Sequence, residues 1–199
     1  MNILTNAIIN QKNIEEIDSL ISDDNINLQD SDGMTPLHYV CKSYNCTYSI
    51  IEIIELLLIR GANPNIQNKY GITILHMSIR RIDNVHIFID ILELLIKHGA
   101  NINIQAKSGN TLLHYVILHE YPFPYSNKIE IIKNLLKYNA DINLKNKKDK
   151  TPLQLVQDII EMSNNKDDKH YKTLAQYNFR NNICKIQSMF FIHNIKNKK

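Results

Sequence analysis

Asp30-Ser31-Asp32-Gly33-Met34-Thr35-Pro36-Leu37-His38 is a turn running directly into a helix start, and the chain writes it again at fixed intervals. Its closing tetrapeptide recurs as Thr73-Ile74-Leu75-His76, Thr111-Leu112-Leu113-His114 and Thr151-Pro152-Leu153-Gln154, at steps of 38, 38 and 40 residues. A second motif keeps step with the first: Gly61-Ala62-Asn63-Pro64-Asn65, Gly99-Ala100-Asn101-Ile102-Asn103 and Asn139-Ala140-Asp141-Ile142-Asn143. Self-similarity at a period of about 20–50 residues marks a stacked array whose units cannot bury their apolar faces alone. Function is therefore to be sought on a surface.

Each tetrapeptide reads as a helix start. A threonine hydroxyl at that place accepts a hydrogen bond from an unpaired first-turn amide. Pro36 and Pro152 then occupy the first helical position, where a missing N–H costs nothing. Leu37, Val40 and Cys41, with Leu75, Ser78 and Ile79, and with Leu113, Val116 and Ile117, give each first helix a narrow inward face. A second helix is expected from Ser49, where Ser49-Ile50-Ile51-Glu52 has the form of a capping box, and Asn127-Lys128-Ile129-Glu130 repeats that form. Its apolar stripe is Ile53, Ile54, Leu57 and Leu58, matched by Ile91, Leu92, Leu95 and Ile96, and by Ile131, Ile132, Leu135 and Leu136. Gly61 and Gly99 end these helices, with Asn139 in the same place.

In these motifs taken together, Asp-x-x-Gly-x-Thr-Pro-Leu-His, a Leu-Leu helix and Gly-Ala-x-x-Asn, the chain resembles the ankyrin repeat family. The resemblance implies an all-α ankyrin repeat solenoid of stacked antiparallel helix pairs joined by turn or hairpin loops. It divides the chain into a degenerate N-terminal capping repeat (1–31), ankyrin repeats at 32–69, 70–107 and 108–147, and a degenerate C-terminal capping repeat with a basic tail (148–199). The fourth unit departs most, with Asp149 at the Gly position and Gln154 at the His position. In ankyrin-like units the recurring histidine, here His38, His76 and His114, orients the turn by hydrogen bonding, a scaffold role rather than a catalytic one.

The family's partners contact turn tips and the exposed side of first helices. Carried onto this chain, that surface includes Ser31, Asp32 and Met34, then Lys69, Tyr70, Arg80 and Arg81, then Lys107, Ser108 and His119, then Lys147 and Lys148. The face changes from acidic at Asp30 and Asp32 to basic beyond Lys69, a gradient suited to steering an acidic partner.

The repeats are also long. Gly61 to Thr73, Gly99 to Thr111 and Asn139 to Thr151 each span 12 residues, so the excess over a repeat of about 33 lies between the two helices of a pair. The last insert, Glu120-Tyr121-Pro122-Phe123-Pro124-Tyr125, combines prolines that reduce ordering entropy with aromatics of the kind enriched at binding hot spots, so Tyr121 and Phe123 join the candidate partner-binding residues.

Composition narrows the classes further. At 199 residues and 44% hydrophobic, the chain suits one linear array with a continuous core. Met1 to Asn10 lacks a basic region followed by a sustained apolar run, and Glu52 and Glu55 interrupt the greasiest segment, so neither a secretory signal nor a membrane span is expected. Three cysteines, Cys41, Cys46 and Cys184, form no disulfide framework, which favours a reducing compartment: cytoplasm, or nucleus if the protein is carried there. His38-x2-Cys41-x4-Cys46 has no second pair at a zinc-like spacing, and no phosphate loop, His-Glu-x-x-His helix or nucleophile elbow is present. No catalytic residue, cofactor or metal is assigned, and the expectation is a non-enzymatic monomer that binds another protein.

From Ser163 onward eight Lys or Arg stand against two Asp, a net +6 in a chain that totals +3, so the preceding part carries −3. A basic tail of this kind offers the alternative reading, nucleic-acid or acidic-surface binding. The absence of an aromatic-interleaved basic motif disfavours nucleic acid. The abundance of Ile, Asn and Lys suggests an A+T-rich genome, and ankyrin-like proteins of such composition occur in large DNA viruses, intracellular bacteria and protists. For such a gene the resemblance implies a host regulatory protein as partner. Some viral members recruit a ubiquitin ligase through a C-terminal F-box-like segment, but no clear Leu-Pro-x-Glu start is visible here.

Overall fold

The computed structural model describes residues 2–43, 49–79, 84–118, 125–164 and 185–193, and among these every regular element is a helix. In chain order they are α1 (Ile3–Ile9), α2 (Ile14–Ser19), α3 (Pro36–Ser43), α4 (Ser49–Ile59), α5 (Ile74–Ser78), α6 (Val85–Lys97), α7 (Leu112–Leu118), α8 (Tyr125–Lys137), α9 (Pro152–Asn164) and α10 (185–193). They fall into two compact units, Met1–Lys107 and Ser108–Lys199. In the first, α1 packs on α2 and α3, α3 on α4 and α5, α4 on α6, and α5 on α6. In the second, α7 packs on α8 and α9.

The helices start where side chains can close their ends. α3, α5, α7 and α9 begin immediately after Thr35, Thr73, Thr111 and Thr151. Asn2 and Asn13 cap α1 and α2, accepting from the amides of Thr5 at 2.6 Å and Glu16 at 2.8 Å. The degenerate first unit is thus a true helix pair. Asn84, which the sequence places in an insert, caps α6 by accepting from His86 and Ile87 at 3.1 and 3.3 Å.

Two boundaries differ from expectation. α8 starts at Tyr125, so Asn127 lies inside the first turn rather than at the cap: part of this repeat's extra length is taken up as helix. α9 continues to Asn164, so the basic tail counted from Ser163 begins within it. Of the expected inserts 44–48, 81–85 and 120–125, residues 44–48, 81–83 and 120–124 lie outside the described residues.

The expected apolar faces form the core. The inward triplets of α3, α5 and α7 are buried, as are Ile53, Ile54, Leu57 and Leu58 on α4 and Ile131, Ile132, Leu135 and Leu136 on α8. On α6, Ile91, Leu92 and Leu95 are buried and Ile96 is half-buried. Leu57, Leu95 and Leu135 occupy corresponding positions, each with its side chain fully enclosed. α10 buries Ile186 and Phe190.

Candidate protein-interaction surface

A hairpin turn precedes each of α3, α5, α7 and α9, and in all but the one before α7, which has Ala106 at that place, its shape is set by one side chain. Asp30 Oδ1 accepts from the amides of Asp32 and Met34 at 2.8 and 2.9 Å, while Oδ2 accepts the Tyr39 hydroxyl at 2.6 Å. Burial pushes the Asp30 carboxyl up, but the hydrogen bonds from Tyr39, Met34 and Asp32 outweigh it and hold the group below its ordinary value. The same bond from the other side pushes Tyr39 up to about 12. Asn68 repeats the arrangement toward Tyr70 and Ile72 at 2.9 and 3.0 Å, and Asn146 toward Lys148 and Lys150 at 2.9 and 3.2 Å. These are Asx-type turns that need no help from neighbours.

Neighbours nevertheless lock them together. In the first unit the Lys69 amide donates to Asp32 O at 2.8 Å and the Lys107 amide to Tyr70 O at 2.9 Å; in the second, the Lys147 amide donates to Ser108 O at 2.9 Å. So close an approach requires glycine. Gly71 lies at φ +73°, and a Cβ there would stand 2.6 Å from the Lys107 nitrogen.

Glutamine side chains add a second tie. Gln29 Nε2 donates to Gly33 O at 2.8 Å and Gln67 O at 3.1 Å, and Gln67 Nε2 to Gly71 O at 2.8 Å and Gln105 O at 3.0 Å. Asparagines supply a third. Asn27 accepts from the Asn63 amide at 2.8 Å and donates to Gly61 O at 3.0 Å, and Asn65 does the same with Asn101 and Gly99 at 2.7 and 2.9 Å.

Histidine is the fourth tie, and its tautomer follows from its partners. The Thr35 amide, which can only donate, points at His38 Nδ1 from 3.1 Å, and the Ile72 carbonyl, which can only accept, lies 3.0 Å from Nε2. His38 is therefore neutral with its proton on Nε2, joining its own helix start to the base of the next turn. His114 does the same between Thr111 and Lys150 O, at 3.2 and 3.1 Å. Burial depresses the pKa of both rings, against the opposing pull of these carbonyls.

On this scaffold the candidate contact residues are distributed unevenly. Lys69 is exposed, but its ammonium is 2.6 Å from Asp32 Oδ1 and 5.1 Å from the Tyr70 ring centroid, and the bond to Asp32 raises its pKa. Tyr70 projects from the tip with 60% of its surface exposed. Lys107, Lys147 and Lys148 are exposed and pair with none of the described acids. Asp149 is engaged by Lys145 and Asp158 by Lys150, each at 2.9 Å. The Ser108 hydroxyl lies 3.2 Å from the Tyr115 hydroxyl.

One sequence expectation changes here. Met34 is buried, not exposed, with its sulfur 3.3 Å from Asn68 Nδ2. Of the two acids at the first tip, Asp32 is paired with Lys69, while Asp30 accepts the neutral Tyr39 hydroxyl and keeps its charge. Arg80, Arg81, His119, Tyr121 and Phe123 lie outside the described residues, as do Cys46 and Cys184. Cys41 sits on the buried face of α3. Among the described residues no His, Cys, Asp and Glu cluster has the arrangement of a metal site, and no helix is long and apolar enough to cross a membrane.

A family model for ankyrin repeats, in three copies, matches residues 46–146. The chain belongs to the ankyrin repeat family. Ankyrin repeats are generally protein–protein interaction modules, and the helix pairs, hairpin tips and buried histidines described above are this chain's version of them. A search of curated proteins finds no match.

Proposed function

We propose that this ankyrin repeat protein is a non-enzymatic scaffold that binds another protein through its turn tips. The observation carrying this reading is Tyr70: a large ring, 60% exposed, on a turn whose backbone is fixed by bonds to the turns on either side. An exposed aromatic on a pre-organised tip offers contact area with little ordering cost, which is how binding hot spots work. Lys69, Lys107, Ser108, Lys147 and Lys148 flank such tips, and the Pro-aromatic insert with Tyr121 and Phe123 is a second place to test.

The composition and family resemblance support a finer version: a gene from a large DNA virus or intracellular pathogen, acting as a monomer in host cytoplasm or nucleus on a host regulatory protein. The test is site-specific photo-crosslinking in such cells. A crosslinker at Tyr70 is expected to capture a discrete protein, whereas one at Asp90, exposed on α6, captures none. Equal capture from both positions, or capture of nucleic acid alone, contradicts the reading.

A further inference from the structure

The charges around the Tyr70 turn specify the partner's chemistry. Asp32 is paired with Lys69 at 2.6 Å, and Asp30, which accepts the Tyr39 hydroxyl at 2.6 Å and keeps its charge, belongs to the turn two repeats before Lys107. Lys69 is in turn committed, lying over the Tyr70 ring as well as against Asp32. Lys107 is the cation left over. It is exposed, it pairs with none of the described acids, and its amide is bonded to Tyr70 O at 2.9 Å, which fixes its backbone against that of Tyr70.

Resting on the tip-binding reading above, we infer that the Tyr70–Lys107 edge reads a partner segment carrying an aromatic or aliphatic side chain next to a carboxylate. The apolar side chain packs on the Tyr70 ring, and the carboxylate reaches Lys107, a charge with no competing acid to displace. A basic partner segment meets Lys107 as a like charge, and a purely apolar one leaves Lys107 facing it unpaired. Lys69 acts as a positioning residue, holding the ring, and contributes little charge of its own to the partner.

The test uses the full chain and a displayed library of random peptides, followed by affinity measurement of the recovered peptides against tip variants. The expected peptides join Asp or Glu to an aromatic or aliphatic residue. Their affinity should fall about tenfold or more in Tyr70→Ala and in Lys107→Glu, and less than about threefold in Lys69→Gln. Replacing the peptide's acid by its amide should reproduce the Lys107→Glu loss. All three sites are exposed, and unchanged circular dichroism confirms that the variants fold.

Recovered peptides that lose affinity in Tyr70→Ala but not in Lys107→Glu overturn the acidic class and leave tip binding standing. Peptides insensitive to both substitutions overturn tip binding itself, as does recovery of none that prefer the wild type over the Tyr70→Ala/Lys107→Glu chain.

Discussion

The turn at 146–150 and the turn at 68–72 have the same internal bonds, yet differ at every residue that faces the next repeat. Both are closed by an Asn side chain, and both carry the i to i+3 bond, Gly71 N to Asn68 O at 2.8 Å and Asp149 N to Asn146 O at 2.9 Å. At the position of Gly71 the later turn has Asp149, at φ +57°. At that of Gln67 it has Lys145, which turns back to Asp149 instead of reaching forward. At the histidine position Gln154 keeps the bond to the Thr151 amide at 2.9 Å, without, among the described residues, the onward bond that His38 and His114 make to the following turn. The Asx closure and the stacking apparatus are therefore separable: the turn at 146–150 keeps the first without a further turn to receive among the described residues, and the turn at 106–110, with Ala106 at the Asx place, keeps its bonds to the turns at Tyr70 and Lys147 without it.

Glycines sort by the same rule. A Cβ at Gly61 or Gly99 meets nothing within 4 Å, so the only demand there is positive φ, which Asn139 meets at +60°. At Gly33, Gly71 and Gly109 a Cβ runs into the backbone of the following turn.

The core beneath the two regions supplies the control. Leu95→Ala and Leu135→Ala should each cost about 2–5 kcal/mol, since both side chains are fully enclosed. Urea unfolding checks this; costs below about 1 kcal/mol at both sites contradict the register of the core. Next comes Gly109→Asp, which moves the later turn's residue into a stacked turn. Its Cβ would stand 2.6 Å from the Lys147 nitrogen at φ +78°, and the expected loss is about 2–4 kcal/mol.

Histidine ties both turns to pH, His38 through Ile72 O and His114 through Lys150 O. A ring whose folded pKa is depressed binds fewer protons than in the unfolded chain, so its stabilisation is complete above the ordinary value of 6.5 and is lost as pH falls through and below it. The urea midpoint should fall between pH 7.5 and 5.5, and His38→Gln, which costs about 1–3 kcal/mol near neutrality by removing the bond to Ile72, should flatten that fall. An unchanged slope contradicts the lowering of the His38 pKa by burial. The smallest effect is expected for Asp149→Gly: relief of positive φ against loss of the Lys145 contact, within about 1 kcal/mol of zero. A loss comparable to that of Gly109→Asp erases the distinction between the two turns.

Much of this was legible in one dimension, because helix starts, helix ends and apolar stripes are local patterns. The Thr-x-x-His and Gly-Ala-x-x-Asn motifs placed the helix pairs, and Asp149 and Gln154 stood out as departures. The Gln29, Gln67 and Gln105 series recurs at the repeat step too, but a polar residue in a turn reads equally well as solvated, and only its bonds to the next turn's carbonyls reveal the ladder. The pairing of Lys69 with Asp32 was hidden for a different reason: it joins residues 37 positions apart, so a charge that looked free for a partner is already committed. Asn127 misled because Asn-x-x-Glu looks the same inside a first turn as at its cap.

Amide hydrogen exchange tests the central claim most directly, since Gly71 and Asp149 donate equivalent turn bonds and differ in what lies over them. If stacking by the next turn is what rigidifies a tip, the Gly71 amide should show protection greater than that of Asp149 by about a hundredfold or more. Equal protection factors at the two positions would mean that the turns are held by their own Asx bonds, and that the stacking apparatus contributes nothing to the surface offered to a partner.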